Sequence, residues 1–232
     1  MLDTTANRRA LAAAGVLMGA SGALLAARAR SRRAAVPDRA VIGELEDRTS
    51  VDARTGAVCS IQKADLLVDE RALDEIWTPM HMERLARTYW RFLTRVTLGL
   101  IQVRYTERER WVVLLFSPLR LLTFAAPEYE LDQHRGLVRW RIARGLLVSR
   151  RGRDGDGHLQ IEVRREASPE SGRARLHVEV EVANFYPSIA SAFSLRFYEA
   201  TQSRIHVIVT YGFLRSLARM DLAESRVGAL VP

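Results

Sequence analysis

The stretch HLQIEVRREASPESGRARLHVEVEV, residues 158–182, decides the fold class. Leu159, Ile161 and Val163, then Leu176, Val178, Val180 and Val182, alternate with Gln160, Glu162, His177, Glu179 and Glu181. A period of two belongs to extended chain, where successive side chains leave on opposite faces. Two such runs with one apolar and one polar face predict an antiparallel sheet that packs on a core and keeps one side wet.

Toward the amino terminus the same period continues. Val138, Trp140 and Ile142 alternate with Arg139 and Arg141, after a turn at 132–136 and a short strand Tyr129–Leu131. The apolar stretch 111–126 reads as two strands, Trp111–Phe116 and Leu119–Phe124, because Ser117-Pro118 and Arg120 interrupt it; it is not a second membrane span. A charged turn, Glu107–Arg110, precedes it, and before that Ile101, Val103 and Tyr105 alternate with Gln102 and Arg104. Upstream the period becomes 3.6. Thr78 and Pro79 are suited to the N-cap and first position of a helix running to about Val96, with Met82, Leu85, Tyr89, Phe92, Leu93 and Val96 on one face. A shorter helix is predicted within Asp65–Trp77, where Leu73, Ile76 and Trp77 share a face, after a first strand at Val58–Ile61. Beyond Pro187, the stripe Ile189, Phe193, Phe197, Ile205, Ile208 and Gly212 predicts one long helix over 188–220, with a strand at 204–211 as the alternative because of the β-branched run there.

The expected fold is therefore α+β: an antiparallel β meander packed on a long C-terminal helix and preceded by an N-terminal hydrophobic helix. This order of elements resembles the helix-grip fold of the START-like superfamily, most visibly at 136–148, 158–165 and 174–183 followed by 188–220. The resemblance implies an apolar cavity between sheet and last helix that takes a lipid or other hydrophobic ligand; it carries no catalytic residue over, since members share none. Arg204 interrupts the apolar stripe of that helix with Thr201 beside it. Either Arg204 meets a ligand carboxylate or phosphate on a cavity wall, or it pairs with one of the chain's own carboxylates or sits at a bend near Ser203. Phe197, Ile208, Trp140 and Tyr105 are the other candidate cavity residues.

Ala10–Ala27 is eighteen residues without a charge, flanked by Arg8 and Arg9 and then by Arg28, Arg30, Arg32 and Arg33. As a helix it is just long enough to span. The arginines that follow it outweigh those before it, so a retained anchor places the domain on the cytoplasmic side. The alternatives are a twin-arginine-like export signal, with Ala27-Arg28-Ala29 as a cleavage site, and a disordered arm. The expected organisation is an anchor or signal at 1–33, a linker at 34–57, one domain at 58–221 and a tail at 222–232.

The formal charge of +8 is concentrated at that end: residues 1–39 hold +5 and the remainder +3. This distribution speaks against a nucleic-acid partner and for membrane lipids. A second surface candidate is Arg150, Arg151 and Arg153, with Arg139, Arg141 and Arg144 leading to them; they read either as a contact for anionic headgroups or as a solvated loop balanced by Asp154 and Asp156.

Chemistry is not written locally. The five histidines have no metal-ligand spacing, Cys59 is the single cysteine, and no nucleophile elbow or phosphate loop is present. Asp154-Gly-Asp156-Gly157 starts like a calcium loop, but Arg165 stands where the twelfth-position glutamate belongs. No cofactor or metal is expected. The functional expectation is a membrane-associated domain that binds a hydrophobic or amphipathic ligand without catalysis. The alternatives are an enzyme in the same cavity, with His206 or Tyr211 for acid–base work, and an interaction domain without a ligand.

Overall fold

The computed structural model describes residues 41–106, 108–114, 120–153, 155–186, 208–210, 212–219 and 221–224. In order they form β1 (Val41–Ile42), β2 (Glu46–Val51), β3 (Val58–Asp69), α1 (Glu70–Ile76), α2 (Pro79–Val96), β4 (Ile101–Tyr105), β5 (Glu109–Leu114), β6 (Arg120–Ala125), β7 (Glu128–Leu131), β8 (Arg135–Arg144), α3 (Arg150–Arg153), β9 (His158–Ala167) and β10 (Arg173–Phe185). A last helix covers 208–210 and 212–218. The strand order is β1-β3-β10-β9-β8-β6-β5-β4, with β2 also on β3 and β7 also on β8, and every pairing is antiparallel. This is an α+β chain dominated by one antiparallel sheet.

The β9–β10 pair has the register its alternation predicts, Leu159 opposite Val182, Ile161 opposite Val180 and Val163 opposite Val178. The other edge of β10 takes β3, so the first long strand closes on the last. Leu66, Val68, Val138, Trp140, Ile161, Leu176 and Val178 form the inner face, none more than 1% exposed. Against it lie Met82, Leu85 and Tyr89 of α2 and Phe213, Leu214 and Ala218 of the last helix. Each large apolar side chain so buried contributes roughly 1.5–3 kcal/mol. Tyr89 meets Phe213 at 6.0 Å, and Trp90 meets Phe124 and Trp140 at 5.3 and 5.2 Å, so α2 is wedged between the last helix and β6–β8.

The helix starts follow their caps. Asp69 accepts from the Ala72 amide at 2.9 Å to open α1. Thr78 caps α2, with Pro79 at its first position, and the helix runs to Val96. Three expectations need correction here. The segment 34–57 is not all linker: β1 and β2 run along the free edge of β3, pairing through Val41–Leu67, Ile42–Leu66 and Glu46–Lys63 to Val51–Val58. An edge strand needs backbone partners more than apolar alternation, and β2, mostly exposed and polar, carries no hydrophobic period. Next, 65–69 continues β3 rather than starting a helix, because Leu66 and Val68 keep the period of two into the core. Finally, the outer face of β9 is only partly wet: Gln160 and Glu162 are 8% and 6% exposed, although Arg164 and Glu166 further along it are exposed. Arg139 lies across the Gln160 carbonyl with donors at 2.9 and 2.7 Å, and Arg135 and Arg164 close over Glu162 at 3.1 and 2.5 Å. Long arginine stems cover what a binary pattern assigns to solvent.

Of the expected long C-terminal helix only 208–210 and 212–218 are described as helical, so 208–210 is helical rather than extended. The first part of its expected stripe, 187–207, and the hydrophobic segment 1–33 lie outside the described residues. Among the described residues no helix is long and apolar enough to cross a membrane.

Burial raises the Glu162 carboxyl, but the hydrogen bonds and charges of Arg135 and Arg164 outweigh it and hold the group below its ordinary value. A carboxyl depressed by folding stabilises the native state above its unfolded value, and that contribution is lost as the pH falls through the folded value. The urea midpoint should therefore decline below about pH 4. In Glu162→Gln, equilibrium unfolding should show a lower midpoint at pH 7 and a flatter acid decline.

Candidate functional site

The helical stripe Arg87, Trp90, Arg91, Thr94 and Arg95 of α2 faces an open cleft of about 520 Å³. Its other walls are Leu98 and Gly99 in the turn after the helix, Val103 and Tyr105 of β4, and Ala223 beyond the last helix. Arg87, Arg91 and Arg95 recur every four residues, so their guanidinium groups stack along one face of the helix. Tyr105 takes Arg87 on its ring at 4.6 Å and Arg110 at 5.1 Å. Burial lowers Arg110, opposed by Tyr129 and Tyr105. With so high a starting value it stays a cation at neutral pH.

Two carboxylates stand near this ladder. Glu83 is 3.7 Å from Arg87 and Asp221 is 3.6 Å from Arg91. Arg91 also donates to the Asp221 carbonyl at 2.9 Å and the Ser216 hydroxyl at 3.1 Å, and Arg84 donates to the Ala223 carbonyl at 2.9 Å. These bonds tie the chain beyond the last helix against α2 and hold that wall in place. Among the described residues no carboxylate pairs with Arg95, whose guanidinium lies over the Phe92 ring at 5.6 Å. The Nε atoms of Arg87 and Arg91 and the Trp90 indole nitrogen are buried without a hydrogen-bond partner among the described residues.

The lip of the cleft is strained. Leu98 donates to the Arg95 carbonyl and Gly99 to that of Thr94, at 3.1 and 2.8 Å, a helix stop whose penultimate position takes a left-handed residue, usually glycine. Here that position is leucine, with φ of 52°, and it is 67% exposed. A leucine there costs on the order of 1 kcal/mol relative to glycine and recovers little by burial.

No known protein-family profile matches the chain, and no curated protein matches it by sequence. Solved structures similar to it include CalU16 from Micromonospora echinospora, 14% identical over 81% of this chain and 98% of that one, with a TM-score of 0.28. A protein from Arthrobacter aurescens is 11% identical over 76% and 93%, with a TM-score of 0.32. An uncharacterised protein from Rhizobium leguminosarum is 11% identical over 66% and 98%, with a TM-score of 0.19. Likenesses this weak say nothing of what the chain binds.

The candidates named from sequence scatter. Tyr105 lines the cleft. Trp140 is 1% exposed and packed edge-on to Trp90. Ile208 is half-buried against the core. Arg204, Thr201, Phe197, His206 and Tyr211 lie outside the described residues, as do Arg28, Arg30, Arg32 and Arg33. Arg150, Arg151 and Arg153 fall on the short helix α3 rather than in a loop; Arg151 lies over the Tyr186 ring at 5.5 Å and donates to the Thr55 carbonyl at 3.4 Å. The arginines leading to them are already engaged, Arg139 by Gln160, Arg141 by Glu128 and Arg144 by Glu109. That patch is thus smaller than its composition suggests.

Two further features were not legible. On the inner face of β2 and β3, where apolar residues are expected, Gln62 donates to Asp47 at 2.8 Å and to Ser60 at 2.9 Å, and Thr49 meets Ser60 at 2.9 Å. Among the described residues the buried Gln62 carbonyl oxygen has no hydrogen-bond partner. Cys59 is half-buried, and burial, with Glu181 and Glu179 adding to it, pushes its thiol up, away from nucleophilic use. The arginine ladder itself was visible as a spacing of four at 87, 91 and 95 with Trp90 between, but only the fold shows that this stripe faces a cleft.

Proposed function

We propose that this chain is a membrane-associated domain that binds a hydrophobic or amphipathic ligand without transforming it, and that the cleft between α2 and β4 receives the ligand's polar end. The observation that carries the reading is the combination in one cleft of arginines with the apolar surfaces of Trp90, Val103 and Leu98. A concave site with a few convergent polar groups on an apolar lining is the usual form of a small-ligand site. Guanidinium groups hold anions but do not exchange protons near neutral pH, which favours binding over acid–base catalysis.

The finer fold belongs to the same proposal. Two helices between β3 and β4, and a sheet in which β3 closes on β10, support a helix-grip arrangement of the START-like kind, with the last helix as the start of the grip. The uncharged stretch Ala10–Ala27 and its flanking arginines support an anchor that keeps the domain at the cytoplasmic surface.

The test is native mass spectrometry of the full chain extracted from membranes in a mild non-ionic detergent. A discrete adduct of a few hundred daltons, released into organic solvent, is expected. A bare chain under every gentle condition would overturn ligand binding. In the same cells the chain should sediment with membranes and lose that property when 1–33 is removed; an unchanged distribution would remove the anchor.

A further inference from the structure

The geometry points to a defined chemical class of ligand: we infer that the α2–β4 cleft selects a single-chain amphipath with an anionic head, a phosphate monoester or a carboxylate. Arg91 and Arg95 take the head, and Leu98 and Val103 take the first methylenes. This inference rests on the ligand-binding reading above.

Three observations converge on it. Arg87, Arg91 and Arg95 sit about 6 Å apart along the helix axis, and like charges at that spacing repel. Their described counter-charges are Glu83 and Asp221, at 3.7 and 3.6 Å, which leaves the ladder one cation in excess, with two Nε donors buried and unbonded. An anion with two or three acceptor oxygens relieves the excess charge, and planar guanidinium forks match phosphate and carboxylate. The second observation is Leu98, an exposed leucine in a left-handed conformation at the lip of the cleft. It serves the fold less well than glycine would, so its use is sought outside the fold. The third is the lining: a bare anion would leave Val103 and the exposed Leu98 uncovered, whereas an alkyl chain attached to the anion would cover them.

Phosphorus NMR titration of octyl phosphate into the full chain, solubilised in a non-ionic detergent, tests this. Octyl phosphate should bind saturably, octanoate should displace it, and octanol should not. Inorganic phosphate should bind at least tenfold more weakly, which separates an amphipath's head from a free anion. Arg95→Gln should weaken octyl phosphate by about tenfold. Arg104→Gln, which removes the same charge from the opposite face of β4, should leave binding unchanged. Leu98→Gly should weaken binding while raising the urea midpoint, the opposite of what a damaged fold would show.

If octyl phosphate binds but Arg95→Gln matches the wild type, or octanol competes equally, the anionic-head assignment is wrong and ligand binding stands. If inorganic phosphate binds as tightly as octyl phosphate, the site takes a free anion and the amphipath is overturned. If neither octyl phosphate nor octanol binds the wild-type chain, the single-chain amphipath is overturned, and ligand binding itself falls only if the native adduct is absent as well.

Discussion

Replacing Trp140 with alanine should cost about 3–5 kcal/mol of folding stability, measured as a shift of the urea midpoint at unchanged slope. Trp140 is 1% exposed, and its ring meets Trp90 at 5.2 Å with an interplanar angle of 72°. Trp90 in turn contacts Tyr89 and Phe124, both at 5.3 Å, so one indole joins β8 to α2 and β6. Truncation removes the transfer energy of the ring and leaves a void that a sheet strand and a capped helix cannot easily close. A loss below about 1 kcal/mol would mean that the site is loosely packed, as a cavity wall would be. Because Trp90 also lines the cleft, Trp140→Ala should weaken ligand binding as a consequence of the packing loss, whereas Arg95→Gln should weaken it at constant stability.

Gly145→Ala should be as damaging, with a loss of about 3 kcal/mol or more and little soluble protein. After β8 the chain turns across β6, and Leu146 and Leu147 donate to the carbonyls of Arg120 and Leu121 at 2.9 and 3.0 Å. Gly145 makes that crossing at φ of 147°, and a methyl group on it would lie 2.3 Å from the Leu121 carbonyl oxygen and 2.7 Å from the Leu122 α-carbon. Both obstacles are backbone, so no rotamer change can admit the methyl group. The β6–β8 pairing is itself short, Thr123–Arg144 and Phe124–Ile142 with a register shift between them. A displaced 145–147 segment would therefore loosen the join between β6, β5 and β4 and the rest of the sheet. A wild-type midpoint for Gly145→Ala would show that the join is pliable.

What could be read along the chain follows from how local each signal is. The cap of α2 and the register of β9 on β10 lie in consecutive residues, and both formed as their patterns predict. The edge position of β2 has no comparable signal, since an edge strand is held by backbone bonds that any polar sequence can make. The covered outer face of β9 depends on Arg135, Arg139 and Arg164, and how far an arginine lies over its neighbours is set by cross-strand register. The cleft is further removed still: Arg87, Arg91 and Arg95 are regular in sequence, but a stripe of arginine on a helix is more often a solvated face.

By itself the sequence determined the antiparallel meander, the capped helix before it and the concentration of charge around 1–39, because periodicity, capping chemistry and net charge are properties of neighbouring residues. Tertiary structure alone decided that Trp140 packs edge-on against Trp90, that Leu98 is held left-handed at an exposed lip, and that three arginines meet Tyr105 and Ala223 around one space. Those facts depend on contacts between residues far apart in the chain, and only closure of β3 on β10 and the wedging of α2 bring them together.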